Sequence, residues 1–184
     1  MINKYDPPIT FWQRLQHRRY AKLERELKPL CKWADFYDYI WSYGKIFWYD
    51  KVVLDIGADI GSSALFFLLN GASKVYLVEK EEEYRQTYRK LKEKYPLLQK
   101  TELIEPKDIN KVQFDVLKMD CEGCEFYMLN EDLLTNSNEF VIGLHKPQLD
   151  EYQFEQKKRL IEKYGGRYYG SVNNEEFLFI KTIK

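Results

Sequence analysis

Short apolar runs separated by polar segments predict a domain built around a sheet. Residues 52–56 form an apolar, β-branched run of the kind found in buried parallel strands. A second such run, residues 74–79, ends in the acid Glu79. Between the two runs, residues 62–70 predict a helix that ends at Gly71. This strand–helix–strand order indicates a parallel pair of strands in an α/β fold.

The pattern continues along the chain with shorter elements. It predicts a helix over 81–95, strands over 101–105, 114–120 and 139–144, a helix over 150–163, and a hairpin of strands 168–172 and 177–182. Only about eight residues separate the third strand from the fourth, which leaves room for little more than one helical turn. We therefore expect the crossover helix at this point to be vestigial.

The first 49 residues predict a helical and aromatic extension rather than part of the sheet. A helix is expected from Thr10 to about Lys28, with His17 facing solvent, and six of its residues are basic: Arg14, Arg18, Arg19, Lys22, Arg25 and Lys28. These bases form either a solvated helix face or a surface for an anionic substrate such as RNA or a phosphorylated glycan. The aromatic residues of 33–49 either dock the extension onto the domain or form a lid over a ligand cleft.

Composition and charge limit the class of protein. The chain has 184 residues, enough for one domain, and its 29 basic residues balance 29 acidic ones. There is therefore no global field to recruit nucleic acid or an anionic membrane. Without an apolar run of membrane-spanning length or a signal pattern, we expect a soluble, cytoplasmic protein. Three cysteines do not make a disulfide framework, and Cys121-x-x-Cys124 is interpreted as a turn rather than a redox or zinc pair.

The turn after the first strand indicates the ligand. Residues 57–61 read Gly-Ala-Asp-Ile-Gly and lack the middle glycine of a dinucleotide turn. Asp55 and Asp59 would repel a diphosphate but would favour the ammonium and sulfonium groups of S-adenosylmethionine. Glu79, eighteen residues after Gly61, suits a ribose diol because one carboxylate can accept hydrogen bonds from both hydroxyls. We therefore predict S-adenosylmethionine rather than NAD; the alternative is a strand–turn–helix that binds no ligand.

Two motifs carry a resemblance to a known family. Residues 52–61 resemble the first motif of class I S-adenosylmethionine-dependent methyltransferases, and 55–61 resemble the Asp-x-Gly-Ala-Asn-x-Gly loop of the FkbM-like group. Residues 117–125 resemble that group's Lys-x-Asp-x-Glu-Gly-x-Glu signature. Asp59 replaces the usual asparagine, and Gly143 stands where the family often has a glutamate two residues before a histidine.

The resemblance covers roughly residues 50–182 and implies a Rossmann-like methyltransferase fold. It implies a mostly parallel seven-stranded sheet of order 3-2-1-4-5-7-6 with a terminal antiparallel hairpin. The domain division is then an extension over 1–49, acting as a cap or lid, and a methyltransferase domain over 50–184. The cofactor-binding residues expected from the motifs are Asp55, Gly57, Ala58, Asp59, Ile60, Gly61, Glu79, Lys80, Asp120 and Cys121.

Three residues near strand ends are the candidates for catalysis. Asp120 ends the fourth strand, Glu122 follows it, and His145 leaves the fifth strand. A methyl transfer to oxygen needs a base that removes the acceptor's proton, and an imidazole of ordinary pKa suits that role near neutral pH. For His145 the alternative is a purely structural place at the strand end. No metal site is assigned, although a cation on Asp120 and Glu122 is a minor alternative.

The function these residues favour is O-methylation of a hydroxyl on a sugar or another small molecule. An RNA or protein methyltransferase that uses the basic helix is an alternative. A non-catalytic module that keeps the fold is another, and a Rossmann oxidoreductase is disfavoured by the glycine pattern. The Asn/Asp-Pro-Pro-Tyr/Phe signature of amino-group methylation is absent, since residues 120–123 read Asp-Cys-Glu-Gly. The acceptor and the oligomeric state are not determined by the sequence.

Overall fold

The strands form one mixed sheet. A computed structural model describes residue 15 and residues 17–146, 150–172 and 176–183 of the chain. Its strands are β1 (Val52–Ile56), β2 (Lys74–Val78), β3 (Thr101–Leu103), β4 (Val116–Met119), β5 (Glu139–His145), β6 (Arg167–Val172) and β7 (Glu176–Lys181). The order is β3-β2-β1-β4-β5-β7-β6, with β7 antiparallel to β5 and β6 and the other pairs parallel. The predicted fold class and strand order are confirmed.

Helices cover both faces of the sheet. They are α1 (Ala21–Leu27), α2 (Phe36–Ser42), α3 (Ser62–Leu69), α4 (Glu82–Lys94), α5 (Glu125–Met128), α6 (Glu131–Asn136) and α7 (Glu151–Lys163). Between β3 and β4 there is only a 3-10 turn, Pro106–Lys111, which confirms the vestigial crossover. Among these helices none is long and apolar enough to cross a membrane.

Alternation along the strands separates two apolar clusters. Val53 points to the cluster that contains α3 and the N-terminal aromatic residues, whereas Leu54 points to the cluster that contains Phe154 of α7. Successive side chains of a strand face opposite sides of the sheet, so each strand contributes to both layers. The central strands are therefore buried on both faces, as in other parallel sheets.

The N-terminal segment is docked on α3 by aromatic packing. Phe36, Tyr39 and Trp48 are buried, and the Trp48 ring stacks on Phe67 with centroids 4.3 Å apart. The helix α2 was not predicted from the sequence; it begins at Asp35, whose side chain accepts hydrogen bonds from two backbone N–H groups of its first turn. The expected hydrophobic docking of this segment is thus present in the fold.

The segment before α1 differs from the sequence prediction at His17. His17 was predicted to face solvent, and this is wrong: its Nε2 lies 2.8 Å from Glu24 Oε2 and its ring stacks on Tyr37. The flat tyrosine ring offers an apolar surface that a sequence pattern of charges does not reveal. The predicted helix start at Thr10 and the base Arg14 lie outside the described residues.

A buried ion pair joins the two strands at the centre of the sheet. Asp55 of β1 and Lys118 of β4 are register partners, and Lys118 Nζ lies 2.9 Å from Asp55 Oδ1. Asp55 also accepts a 2.6 Å hydrogen bond from Ser63 Oγ. Burial lowers the pKa of Lys118, but the nearby aspartates outweigh it and raise the pKa above its ordinary value, so the ammonium stays charged.

Breaking this pair should strongly destabilise the protein. Lys118→Met leaves the Asp55 carboxylate buried without its cation, and we expect the free energy of unfolding to fall by about 3–5 kcal/mol. The double variant Asp55→Asn, Lys118→Met removes both charges and should recover part of that loss. Urea unfolding measures both values. Equal losses in the single and double variants would show that charge pairing is not what stabilises this position.

Candidate active site

A cavity of about 760 Å³ lies at the carboxyl ends of the central strands. This is the edge at which open α/β sheets bind ligands. From the sheet side it is lined by Gly57, Asp59, Glu79, Lys80, Asp120 and Cys121, and from the N-terminal segment by Lys32, Trp33, Asp35, Asp38, Tyr39 and Tyr43. The site therefore combines predicted cofactor residues with the segment expected to act as a lid.

The glycine turn approaches the end of β4 closely. Gly57 has a φ of +80°, and a Cβ atom at this position would lie 2.0 Å from the Asp120 carbonyl oxygen. Only glycine permits this contact without moving the backbone. Lys118 Nζ donates a 2.6 Å hydrogen bond to the Gly57 carbonyl oxygen and thereby fixes the start of the turn.

Four predicted cofactor residues do not line the cavity. Asp55, Ala58, Ile60 and Gly61 are buried and shape the strand end and the turn. The remaining six border the space in which a ligand would lie: Gly57, Asp59, Glu79, Lys80, Asp120 and Cys121. The glycine-turn motif thus divides into residues that support the turn and residues that face the cavity.

The Glu79 carboxylate is held in place at the end of β2. Its Oε2 accepts a 2.9 Å hydrogen bond from the Asp59 N–H, and its Oε1 accepts a 2.8 Å bond from the Glu81 N–H. A carboxylate has about four lone-pair sites, so each oxygen can still accept another hydrogen bond. Glu79 is buried and borders the cavity, which suits recognition of a hydroxyl pair.

Asp59 is the most electrostatically unusual residue of the turn. Burial raises the pKa of its carboxyl to about 7, with Lys118 lowering it and Glu79 raising it further. Below that pH the residue is neutral and equivalent in charge to the asparagine of the family motif. Aspartate at position 59, in place of the asparagine of the FkbM-like motif, is therefore not permanently charged, because burial favours its neutral form.

His145 is surrounded by carboxylates. Its Nδ1 lies 2.9 Å from Glu125 Oε1, and its Nε2 lies 3.7 Å from Asp120 Oδ1 and 3.8 Å from Glu122 Oε1. Burial lowers the pKa of His145, but the hydrogen bond with Glu125 and the charges of Asp120 and Glu125 outweigh it and raise the pKa to about 9. The expectation of an imidazole with an ordinary pKa is therefore wrong.

Glu176 is a site residue that the sequence did not indicate. It begins β7 opposite His145, and its Oε1 lies where a side chain on Gly143 would be, 2.6 Å from the ideal Cβ position. The missing acid at Gly143 is thus replaced in space by a carboxylate from the neighbouring strand. Burial, and next the charge of Asp120, raise the pKa of Glu176 to about 9. The sequence does not show this replacement, because it depends on the antiparallel register between β5 and β7.

Two further contacts were also missed. Tyr43 donates a 3.0 Å hydrogen bond from its hydroxyl to Asp120 Oδ2, so the N-terminal segment orients a predicted catalytic residue. Glu125, whose side chain is fully buried, accepts hydrogen bonds from the Cys121 and Gly123 N–H groups. The acidic signature at 120–125 could have suggested Glu125 as a residue that holds its own turn.

The interpretation of the cysteine pair as a plain turn is wrong. Cys121 and Cys124 form a disulfide, with Cα atoms 5.5 Å apart, where the sequence was interpreted as a turn without one. The turn contains Glu122 and Gly123 with positive φ, and this backbone brings the two side chains together. Both sulfur atoms are thereby removed from any zinc site. Cys31 is a free, buried cysteine.

The strand order and the glycine turn define the class I methyltransferase fold. The O-methyltransferase from Bacillus cereus, solved in complex with SAH, matches with a TM-score of 0.57 and 16% identity over 70% of this chain and 72% of that one. The bifunctional kinase-methyltransferase WbdD matches with a TM-score of 0.58 and 15% identity over 96% of this chain and 40% of that one. At these identities the likeness shows the fold.

Two viral proteins are relatives in sequence. The chain is 33% identical over 159 residues to uncharacterized protein 158B of Sulfolobus islandicus rod-shaped virus 1, covering 82% of this chain and 92% of that protein. It is 34% identical over 108 residues to uncharacterized protein 65 of Sulfolobus islandicus filamentous virus (isolate Iceland/Hveragerdi), covering 59% and 68%. The chain therefore belongs to the family of these viral proteins. No family model matches it, so the FkbM-like assignment stays a likeness of two motifs.

The raised pKa of Asp59 predicts a pH-dependent stability. The folded state holds the proton more tightly than the unfolded state, so stability is lost as pH rises from about 4 to about 7. Asp59→Asn carries no titrating group and should melt a few degrees above the parent protein at about pH 8, with little difference near pH 4. Thermal melting across this range measures the effect.

The control is Glu162→Gln, which neutralises an exposed acid of α7 and should shift the melting temperature little at either pH. If the Asp59→Asn curve runs parallel to that of the parent protein at every pH, the carboxyl does not titrate in this range.

Proposed function

We propose that this protein is an S-adenosylmethionine-dependent methyltransferase that modifies a hydroxyl group of a sugar or another small molecule. The observation that carries the proposal is that Glu79 and Asp120 border the same cavity. The glycine turn borders it too, and its Gly57 lies against the backbone of Asp120. Methyltransferases among the proteins of the same fold support this class of reaction. The activity is a transfer of one methyl group.

The residues of the cavity suit this cofactor. Glu79 can accept hydrogen bonds from the ribose hydroxyls, Gly57 leaves room for close approach to the backbone, and Asp59 faces the cavity with a carboxyl. The volume of about 760 Å³ is in the usual range for a cofactor or drug-sized ligand. When bound, S-adenosylmethionine supplies an electrophilic methyl group on a positively charged sulfur. Lys80 and Cys121 border the same space.

The charge of the cavity supports a neutral acceptor. Eight acidic side chains line it against three lysines, and one of these lysines, Lys118, is paired with the buried Asp55. Such a surface repels phosphate groups, which disfavours RNA or a phosphorylated glycan as the group that enters. Arg18 and Arg19, in the turn before α1, and Lys22 of α1 are exposed to solvent and do not line the cavity. A neutral polyhydroxylated acceptor agrees with both observations.

The proposed chemistry needs a carboxylate at the end of β4. The acceptor oxygen forms a bond to the methyl carbon while the carbon–sulfur bond breaks and its electron pair passes to sulfur. The hydroxyl proton passes to a nearby base. Asp120 is our first candidate, since Tyr43 orients its carboxylate towards the cavity and His145 and Glu176 have pKa values of about 9. Glu122, which is half exposed, is the second.

The location and partners stay predictions. The expected partner is the acceptor molecule, with no membrane, and the expected location is the cytoplasm. Disulfides are rare in that compartment, with intracellular proteins of hyperthermophiles as an exception. The disulfide Cys121–Cys124 is therefore compatible with this location in a protein of a thermophilic source.

The first prediction concerns the cofactor. Glu79→Ala should weaken S-adenosylmethionine binding by about tenfold to a hundredfold, since hydrogen bonds to a charged group contribute roughly 1.5–3 kcal/mol. Calorimetric titration measures the affinity, and thermal melting verifies that the variant is folded. The matched control is Glu102→Ala at an exposed carboxylate of β3, which should leave the affinity unchanged. Equal affinity in both variants would remove Glu79 from the cofactor site.

The second prediction concerns the base. Asp120→Asn keeps the shape of the side chain and removes its charge, so turnover should fall by about a hundredfold to ten-thousandfold while S-adenosylmethionine still binds. Methyl transfer is first screened across glycan, RNA and small phenol pools to find the acceptor. Full activity of the variant would exclude Asp120 from the reaction. Binding of the cofactor without transfer to any pool would favour the non-catalytic module.

A further inference from the structure

Three metal-ligating side chains converge from three neighbouring strands. Asp120 follows β4, His145 ends β5, and Glu176 begins β7. One donor atom from each lies within 4.8 Å of the other two. Metal bonds to oxygen or nitrogen measure about 2.0–2.3 Å, so donors that share one ion lie up to roughly 4.5 Å apart. Small side-chain movements would close these three donors on a single ion.

The imidazole of His145 is already oriented for this role. Its Nδ1 lies 2.9 Å from Glu125 Oε1, and the exposed fractions of the two side chains are 8% and 0%. Its Nε2 points at Asp120 and Glu122, at distances of 3.7 and 3.8 Å that are too long for hydrogen bonds. A carboxylate that holds the far nitrogen of a histidine is the usual outer-shell partner of a metal-bound imidazole.

Glu176 is the second unusual member of the cluster. Its carboxylate fills the space beside Gly143 and borders the cavity. Carboxyl groups that face each other with little water repel as anions unless a proton or a cation lies between them. A histidine and two carboxylates that converge in this way are arranged for a cation.

We propose that Asp120, His145 and Glu176 bind one divalent metal ion at the side of the cavity that Asp120 and Glu176 line. This inference rests on the proposed function, since the ion would bind the acceptor hydroxyl. Two carboxylates and one imidazole combine hard oxygen donors with a borderline nitrogen donor, which suits Mn²⁺ or a similar first-row dication. The sequence analysis assigned no metal site and kept only a cation on Asp120 and Glu122 as a minor alternative.

A bound ion would change the roles of Asp120 and Glu122 in the proposed reaction. A hydroxyl bound to a dication becomes more acidic, as water does on a metal ion. Glu122, the second candidate for the base, lies 3.8 Å from His145 Nε2 and is open to solvent, so it would take this proton in place of Asp120. The acceptor oxygen would then bond to the methyl carbon as the carbon–sulfur bond breaks. Asp120 thereby acts as a ligand of the ion, and the loss of turnover expected for Asp120→Asn is unchanged.

The experiment measures Mn²⁺ binding to the full chain without cofactor or acceptor. Titration followed by the electron paramagnetic resonance of free Mn²⁺ should show one saturable site, with coupling of bound Mn²⁺ to a histidine nitrogen. Glu176→Gln should weaken binding at least tenfold, and His145→Gln should abolish the nitrogen coupling. Glu122→Gln is the matched control, since it removes an adjacent charge outside the triad and should retain the site. Thermal melting confirms that each variant is folded.

Several results would overturn this assignment. They are the absence of saturable binding, a site that survives Glu176→Gln, or a site lost in Glu122→Gln but kept in Glu176→Gln. The outcome is separate from that of the proposed function. A metal site without any S-adenosylmethionine binding supports the ion and contradicts the methyltransferase. Methyl transfer that persists at full rate after chelation, in a protein that binds no Mn²⁺, supports the methyltransferase and contradicts the ion.

Discussion

The buried ion pair between Asp55 and Lys118 is the contact on which the site depends. It joins two register partners at the centre of the sheet, where both side chains are almost completely shielded from water. Lys118 also donates to the Gly57 carbonyl oxygen, so one ammonium holds a strand, its partner strand and the glycine turn together. A buried pair of this kind gains little net stability over an apolar pair, but losing one member is costly. The ion pair contributes here mainly by holding Lys118 where its ammonium fixes the glycine turn.

The cavity is built by two parts of the chain that are far apart in sequence. The N-terminal segment packs its aromatic residues on α3 and then extends Tyr39 and Tyr43 towards the strand ends. Tyr39 exchanges a 2.7 Å hydrogen bond with Ser62, and Tyr43 donates to Asp120. The segment therefore forms a wall of the cavity and orients a carboxylate in it. A variant without this segment would lose both the wall and the orientation of Asp120.

Negative charge at this edge of the sheet exceeds what the protein itself neutralises. Lys118 is committed to Asp55, and His145 has carboxylates near both ring nitrogens. The pKa values of Asp59 and Glu176, about 7 and about 9, express the same excess, because burial and neighbouring carboxylates favour their neutral forms. A ligand with positive charge would relieve it. The cationic methyl donor and the proposed metal ion both have that property.

The sequence by itself determined the architecture and half of the site. The apolar runs, the glycine turn and the acid at Glu79 are local patterns with local causes, so the strands and the position of the cavity could be predicted from them. The sheet order followed from the resemblance to the class I methyltransferase motifs. Asp120 and His145 followed from the rule that ligands bind at the carboxyl ends of parallel strands. These features need no knowledge of which distant residues meet.

Tertiary structure decided everything that depends on contacts between distant residues. The antiparallel register sets Glu176 opposite His145 and into the space left by Gly143, and no spacing in the sequence encodes that meeting. The pKa of His145 could not be predicted either, because it depends on Glu125 and Asp120, which only the folded chain brings to its two nitrogens. Local patterns determine which elements form, whereas charge and coordination depend on distances of a few ångströms between elements, which only packing sets.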